Sequence, residues 1–220
     1  RSQYKIETKA VRLDLSKKES ISIIENVLIE KDCHLLIYNA AYGPVKKFLE
    51  NTPEELDFYL DLNARTPLHL ARIFSELHLG KSPAGFLLMA SMAGMRGTSL
   101  VAPYAATKAF DWNLAEGLFY EFKDTNIDFS STCAGPIATP NYLATDPQKF
   151  GWKPADASPE SVAEEALWAL GKKAVHIPGK TNRIIDLLMS RILPHSSAAK
   201  IANKTMKGMY ARQWNGGYKK

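Results

Sequence analysis

The sequence predicts an α/β chain in which a parallel sheet is covered by helices. Three observations carry that prediction. Strand-like and helix-like segments alternate from one end to the other. The apolar runs are short and unbroken, as in strands buried on both faces. The helical stretches open with capping signals. At 220 residues, with 45% hydrophobic and 23% charged residues, the chain is long enough for one large domain with a substantial core.

The elements follow in order. Lys9-Ala10-Val11-Arg12-Leu13-Asp14 reads as a strand. Ser16-Lys17-Lys18-Glu19 reads as a capping box, with Ile21, Ile23, Ile24 and Val27 at amphipathic spacing behind it. His34 to Tyr38 is a second strand, closed by Asn39. Thr52-Pro53-Glu54-Glu55, with Pro at the first helical position, opens a long helix to about His78. Gly85 to Ala90 is the next buried strand, and Ser91 stands at its carboxyl end. A helix carrying Tyr104 and Lys108 runs to about Phe122, and Ile127 to Cys133 is another strand. Ser158-Pro159-Glu160 caps a helix that Gly171 ends, and Ala174 to Ile177 is the last strand. A largely apolar helix from Arg183 to Leu193 is stopped by Pro194, and a second helical stretch follows.

Composition narrows the class. No apolar run approaches the ~20 residues of a membrane span. Arg1-Ser2-Gln3-Tyr4-Lys5 leads into no apolar segment and does not read as a secretory signal. Cys33 and Cys133 read as reduced core cysteines, which points to the cytoplasm. His34, His69, His78, His176 and His195 show no metal spacing, so no metal site is expected. From Gly171 to Lys220 eleven Lys and Arg face one acid, Asp186. That stretch therefore carries +10 in a chain of net +5, and residues 1–170 carry −5. A solvated basic surface explains this, and so does attraction to a membrane surface or an anionic carrier. No nucleic-acid motif accompanies the charge. The expected organisation is a domain over residues 1–179 with a basic helical extension, residues 180–220, packed on it.

The chemistry gathers on one helix turn and at four strand ends. Tyr104 and Lys108 lie one helical turn apart on one face. An ammonium held there favours the phenolate form, as a tyrosine exchanging protons with an alcohol or ketone near neutral pH requires. Ser91, at the end of the preceding strand, can hydrogen-bond the same substrate oxygen. Asp14, Asn39, Ser91 and Gly135 all fall at carboxyl ends of successive strands, the edge where open parallel sheets bind ligands.

These motifs together resemble the short-chain dehydrogenase/reductase family over essentially the whole chain. Asp14-Leu15 is similar to the acidic-hydrophobic pair that touches the adenine. Tyr38-Asn39-Ala40-Ala41 is similar to the family's Asn-Asn-Ala-Gly, with the first Asn and the Gly replaced. The small Ala40 and Ala41 still let a cofactor lie against the backbone. Asn63 matches the helical Asn, and Ser91, Tyr104 and Lys108 match the catalytic Ser, Tyr and Lys. Ala134-Gly135-Pro136-Ile137-Ala138-Thr139 resembles the Pro-Gly motif beside the nicotinamide, with Ala for Pro.

The resemblance implies a Rossmann-like doubly wound parallel sheet in three α/β/α layers, and hydride transfer between NAD(P) and a carbonyl or secondary alcohol. Tyr104 would donate the proton, and Lys108 would favour its phenolate and hold the nicotinamide ribose. Ser91 would orient the carbonyl, and Asn63 would hold a water leading to Lys108. Asp14, Leu15, Asn39, Ala40, Ala41, Gly135, Ile137 and Thr139 would line the cofactor, with NADP slightly favoured because the most similar reductases often use it. A homodimer or homotetramer is implied through the helices bearing Asn63 and Tyr104.

One departure is large. The sequence contains no Gly-x-x-x-Gly-x-Gly turn, and the family's first strand, first helix and second strand are absent. In the order 3-2-1-4-5-6 the strands at Lys9–Asp14 and His34–Tyr38 should then stand about 14 Å apart with nothing between them. The expectation is a piece of a longer protein. The residues that choose NAD or NADP lie beyond it, since a carboxylate or a basic residue after the second strand makes that choice.

The long loop from Gly135 to Ala157 carries Tyr142, Phe150 and Trp152, where the family keeps its substrate lid. Ile177-Pro178-Gly179 and the basic helices behind it resemble a branch near the 3-oxoacyl reductases. The expected substrate is therefore a lipid-like or 3-oxoacyl-type carbonyl. A steroid-like or sugar-alcohol dehydrogenase is the nearer alternative, and a non-catalytic cofactor-sensing or interaction protein on the same fold is the more distant one.

Overall fold

A computed structural model describes residues 7–151, 156–215 and 218. Its centre is a four-stranded sheet made of β1 (Leu35–Tyr38), β2 (Ala84–Ser91), β3 (Ile127–Ala134) and β4 (Val175–His176). The strands run in the order β1-β2-β3-β4, and every neighbouring pair is parallel, with Leu35 opposite Gly85, Ala84 opposite Ile127 and Ser131 opposite Val175. Helices α1 (Glu19–Glu30), α2 (Pro53–Leu60), α3 (Thr66–His78), α4 (Ala102–Glu121), α5 (Pro140–Leu143) and α6 (Pro159–Ala169) alternate with them. The chain closes with α7 (Lys180–Leu187), α8 (His195–Met209) and α9 (Ala211–Trp214). This is the parallel, helix-covered sheet that the alternation predicts.

The strands form where the sequence is apolar on both faces. Phe86 and Phe129 are fully buried, with ring centroids 5.8 Å apart, and Phe74 of α3 meets Phe86 at 5.6 Å. Leu28, Leu70 and Ala115 bring α1, α3 and α4 onto the same side. Burying each large side chain there contributes about 1.5–3 kcal/mol. On the opposite side Leu170, just past α6, covers Gly85, where a Cβ would stand 2.7 Å from its Cδ2. Leu35 shares that face and, with Ile37, is nearly half exposed, so α6 covers only part of it.

Local signals explain the boundaries. Thr52 accepts from Glu55 N while Glu55 reaches back to Thr52 N, completing the predicted capping box of α2. Ser158 caps α6 by accepting from Ser161 N at 3.1 Å. Gly171, past the end of α6, has φ +71°, and a Cβ there would fall 2.5 Å from the Asp128 carboxylate. Between α2 and α3 the helix widens into a π turn, Asp61–Arg65, so the predicted long helix is continuous to His78 but not regular.

Two expectations are corrected. Residues 9–14 form no strand. Among the described residues no strand lies beside them, so their backbone has no ladder to join, and all but Leu13 are exposed. Asp14 and Leu15 therefore do not stand at a strand's carboxyl end. The Ser16–Glu19 capping box also fails. The Asp14 carboxylate accepts from Ser16 N (3.0 Å) and Ser16 Oγ (2.6 Å), and its carbonyl takes Lys17 N (3.0 Å) and Ser20 Oγ (2.5 Å). The Asp14 turn thus uses the Ser16 hydroxyl that a cap would need, and α1 starts behind Lys18 without a side-chain cap.

The C-terminal helices close over the end of the molecule that carries the loop after β3. Arg96 donates to the Met189 carbonyl (2.7 Å), and Asn203 Oδ1 accepts from Ser99 N (2.7 Å). Leu100, Met209 and Tyr210 form a second small core with Val45, Phe150, Met206 and Trp214 around it. Among the described residues no helix is long and apolar enough to cross a membrane.

Candidate active site

The site is built where β2 meets α4. Ser91 is the last residue of β2, and its Oγ accepts from Ala93 N at 3.2 Å, opening the short 3-10 turn Met92–Met95. That turn lies directly on α4. A Cβ on Gly94 would stand 2.6 Å from Ala109 N and 2.7 Å from the Lys108 carbonyl carbon, so only glycine lets Ser91 sit so near the helix. Pro103 occupies the first turn of α4, where its missing N–H costs nothing.

Lys108 is 2% exposed and its ammonium is held inside the layer between α4 and the sheet. Nζ donates to the Met89 carbonyl at 2.7 Å and to Asp111 Oδ2 at 2.9 Å, and lies 5.9 Å from the Tyr104 ring centroid. Burial pushes the Asp111 carboxyl up to about 6, against the opposing pull of Lys108. Tyr38, also buried, is pushed well above the usual phenol range by desolvation and by the Asp111 charge. Its hydroxyl donates to the Leu62 carbonyl inside the π turn at 2.5 Å.

Asn63 sits in that π turn, completely buried. Its Oδ1 accepts from Tyr42 N (2.8 Å), and its Nδ2 donates to the Tyr42 carbonyl (2.8 Å) and to Thr107 Oγ1 (3.0 Å). Thr107 in turn donates to the Tyr104 carbonyl at 2.9 Å. Asn63 therefore clamps the loop after β1 to α4, with both amide hydrogens already used. Irregular π turns of this kind recur at functional sites. Replacing Asn63 with Leu strands buried groups on Tyr42 and Thr107, and is expected to cost about 3 kcal/mol in urea denaturation.

The clamp carries a close packing contact. A Cβ on Gly43 would lie 2.5 Å from Tyr104 Cδ2, so the loop backbone rests on the tyrosine ring. Gly43→Ala should push the ring aside, lower turnover about a hundredfold, since a displacement of about 1 Å costs that much, and lower the stability by about 1–3 kcal/mol through overpacking. Steady-state kinetics beside a circular dichroism melt checks both halves.

The remaining predicted residues divide. Asn39, Ala40 and Ala41 follow β1 at the same sheet edge as Ser91. Gly135 follows β3 there, and a Cβ on it would meet Asn182 Nδ2 at 2.9 Å. Ile137 makes a parallel bridge with Ala157, and Thr139 Oγ1 caps the four-residue α5 by accepting from Tyr142 N (3.3 Å). Asp14 and Leu15 follow no strand, and Leu15 packs against the same core cluster as Ala40. Asp14 is turned to Ser16, and the Leu15 carbonyl accepts from Thr66 Oγ1 at 2.7 Å. In the loop after Gly135, Trp152 lies outside the described residues. Phe150 packs on Gly208, where a Cβ would come within 2.2 Å of its ring, and Gln148 N donates to the Met209 carbonyl (2.9 Å). Among the described residues no three His, Cys, Asp or Glu side chains are grouped to hold a metal.

Sequence reasoning missed Gly43, Gly94, Thr107 and Asp111. Asp111 was within reach, being a carboxylate three residues from Lys108 on an already predicted helix. The two glycines carry no local signal, because what they approach is distant in sequence.

Comparison with known proteins decides the family. The family model "short chain dehydrogenase" matches residues 2–149. The chain belongs to the short chain dehydrogenase family. It is 25% identical over 177 residues to a 7beta-hydroxysteroid dehydrogenase of Clostridium sardiniense, covering 80% of this chain and 68% of that one. To a very-long-chain 3-oxoacyl-CoA reductase of Anas platyrhynchos it is 26% identical over 216 residues, covering 96% and 67%. A solved 7beta-hydroxysteroid dehydrogenase structure superposes with a TM-score of 0.78 at 22% identity, covering 91% of this chain and 78% of that one, which shows the fold. The chain spans 48% of the length of an uncharacterized oxidoreductase of Bacillus subtilis and 71% of a 7beta-hydroxysteroid dehydrogenase of Mediterraneibacter gnavus, so it matches part of these curated relatives.

Proposed function

We propose that this protein is an NAD(P)-dependent oxidoreductase interconverting a carbonyl and a secondary alcohol on an apolar, lipid-like or 3-oxoacyl-type substrate. One observation carries the reading. A tyrosine and a buried lysine share one turn of α4, packed against the β2 strand that ends in Ser91. Membership of the family supports it, and so do relatives named for steroid alcohols and long-chain oxoacyl groups.

The residues present fit the nicotinamide end of a dinucleotide. Asn39, Ala40, Ala41, Gly135, Ile137 and Thr139 sit at the carboxyl edge of the sheet, as ligand sites of open parallel sheets do. Lys108 has three ammonium hydrogens and spends two on protein acceptors, leaving one for a ribose hydroxyl. The cofactor, when bound, supplies or receives the hydride. Solved neighbours in complex with NADP, NADPH or NADH support NAD(P) as that cofactor, and NADP is the slightly favoured form.

In reduction, Ser91 Oγ hydrogen-bonds the substrate oxygen and orients the carbonyl. Tyr104 donates its phenolic proton to the oxygen as negative charge develops there. Lys108 stabilises the phenolate left behind, and Asn63 holds the loop that seats Tyr104. Oxidation runs the same proton in reverse. We propose that residues 180–220 act as a basic extension of the catalytic domain that contacts anionic carriers or membrane surfaces. The protein is proposed to be cytoplasmic and to work as a homodimer or homotetramer.

The test is a panel of steroid ketones, 3-oxoacyl thioesters and polar sugar ketones, each incubated with NADPH and with NADH. Consumption of NADPH with an apolar ketone is expected. Preference for the sugars would reject the substrate class, and no consumption with any ketone would reject the reaction.

A further inference from the structure

The Asp111 carboxylate is the least expected group in the core. It is 1% exposed and lies inside the α4–sheet layer. Oδ2 is 2.9 Å from Lys108 Nζ, while Oδ1 is buried and has no hydrogen-bond partner among the described residues. A buried charge in such a place costs stability unless it is paired, and a fully apolar side chain would fill the space at less cost. What its carboxylate touches is the lysine that the proposed reaction needs.

We propose that Asp111 is the positioning residue for Lys108, holding its ammonium between Tyr104 and the end of β2. Two protein acceptors, Asp111 Oδ2 and the Met89 carbonyl, fix Nζ from helix and strand, so the long side chain has one place to be. Without the carboxylate, only a neutral carbonyl would hold it. The inference rests on the reading of Tyr104 and Lys108 as the proton-transfer pair.

The groups facing Asp111 come from three strands and a helix. Lys108 is on its own helix. Tyr38 of β1 feels the Asp111 charge, and its proton is held by Leu62. Cys133 of β3 is pushed up to about 12 by burial, with smaller contributions from Asp186 and Asp111. Met89 of β2 offers only its carbonyl. Near neutral pH, therefore, the carboxylate and the ammonium are the charged members of this group.

Two measurements decide the matter. In alcohol oxidation the phenolate form must be present, and a negative charge beside Lys108 partly cancels the field that favours it. Asp111→Asn keeps the shape and an acceptor oxygen but removes that charge. The alkaline-going limb of the kcat profile should therefore move to lower pH by roughly one unit. A merely structural role would lower kcat without moving the limb, and an unmoved limb in a folded variant overturns the proposal. The second measurement needs no turnover. A cycle of Asp111→Asn, Lys108→Met and the double variant, read by urea denaturation, should show coupling of about a hundredfold or more in the unfolding constant at pH 8, and little at pH 5. Additive effects at pH 8 would overturn the pairing. If the unaltered protein turned over no alcohol, the functional reading would fall while this cycle still judged Asp111.

Discussion

Tyr104→Phe is expected to lower turnover by about a thousandfold or more while leaving the fold intact, because it removes the phenolic hydroxyl that carries the proton and leaves the ring in place. Among the described residues the Tyr104 hydroxyl has no hydrogen-bond partner, so its loss breaks no structural bond. The ring stays under Gly43, and the Tyr104 carbonyl still accepts from Thr107. The melting temperature should shift by no more than a degree or two, and cofactor affinity measured by fluorescence quenching should hold. A variant that kept a tenth or more of the activity would remove Tyr104 from the proton path.

Lys108→Met should damage both function and stability. The methionine fills much of the same volume, but the Asp111 carboxylate is then buried with no counter-charge. Removing one partner of such a pair costs about 3–5 kcal/mol. The cost depends on pH with a definite sign. The Asp111 carboxyl sits at about 6 in the fold, above its unfolded value, so its burial is tolerated at low pH and weakens the fold as pH rises through 6. Without Lys108 to oppose desolvation that value rises further. The variant's deficit should therefore be largest near pH 8 and shrink by pH 5, where the carboxyl is neutral. Urea denaturation of both proteins at the two pH values checks it, and a deficit that grew on acidification would contradict the assignment of the buried charge.

The contrast between these two positions shows what could be read from the chain itself. Tyr104 and Lys108 were legible because helical spacing is local, and four residues place two side chains on one face. β2 and β3 were legible because strands buried on both faces read as unbroken apolar runs, and Thr52 and Ser158 announced their helices through capping chemistry. The strand expected over residues 9–14 had the right composition and no partner. A strand exists only as part of a ladder, and the ladder is a property of residues elsewhere. Ser16 failed as a cap for a nearer reason, since Asp14 two residues earlier captured its hydroxyl first.

The clamp around Asn63 was half legible. The residue could be matched to a motif, but its partners Tyr42 and Thr107 lie 21 and 44 residues away. Nothing in the spacing tells that the amide would bind protein on both sides and so hold a loop against α4. Gly43 and Gly94 belong to the same class. Each is glycine because another backbone or ring occupies the place of its Cβ, and that occupant is known only once the chain is folded.

The most direct test of the account is to follow the label in a deuterated nicotinamide. The protein is incubated with an apolar ketone and reduced cofactor carrying deuterium at the transferring carbon, and the alcohol is analysed by mass spectrometry. The account predicts one deuterium on the carbinol carbon of the product, and none above background with Tyr104→Phe. Cofactor that binds while the ketones of the panel are recovered unchanged and unlabelled would contradict it.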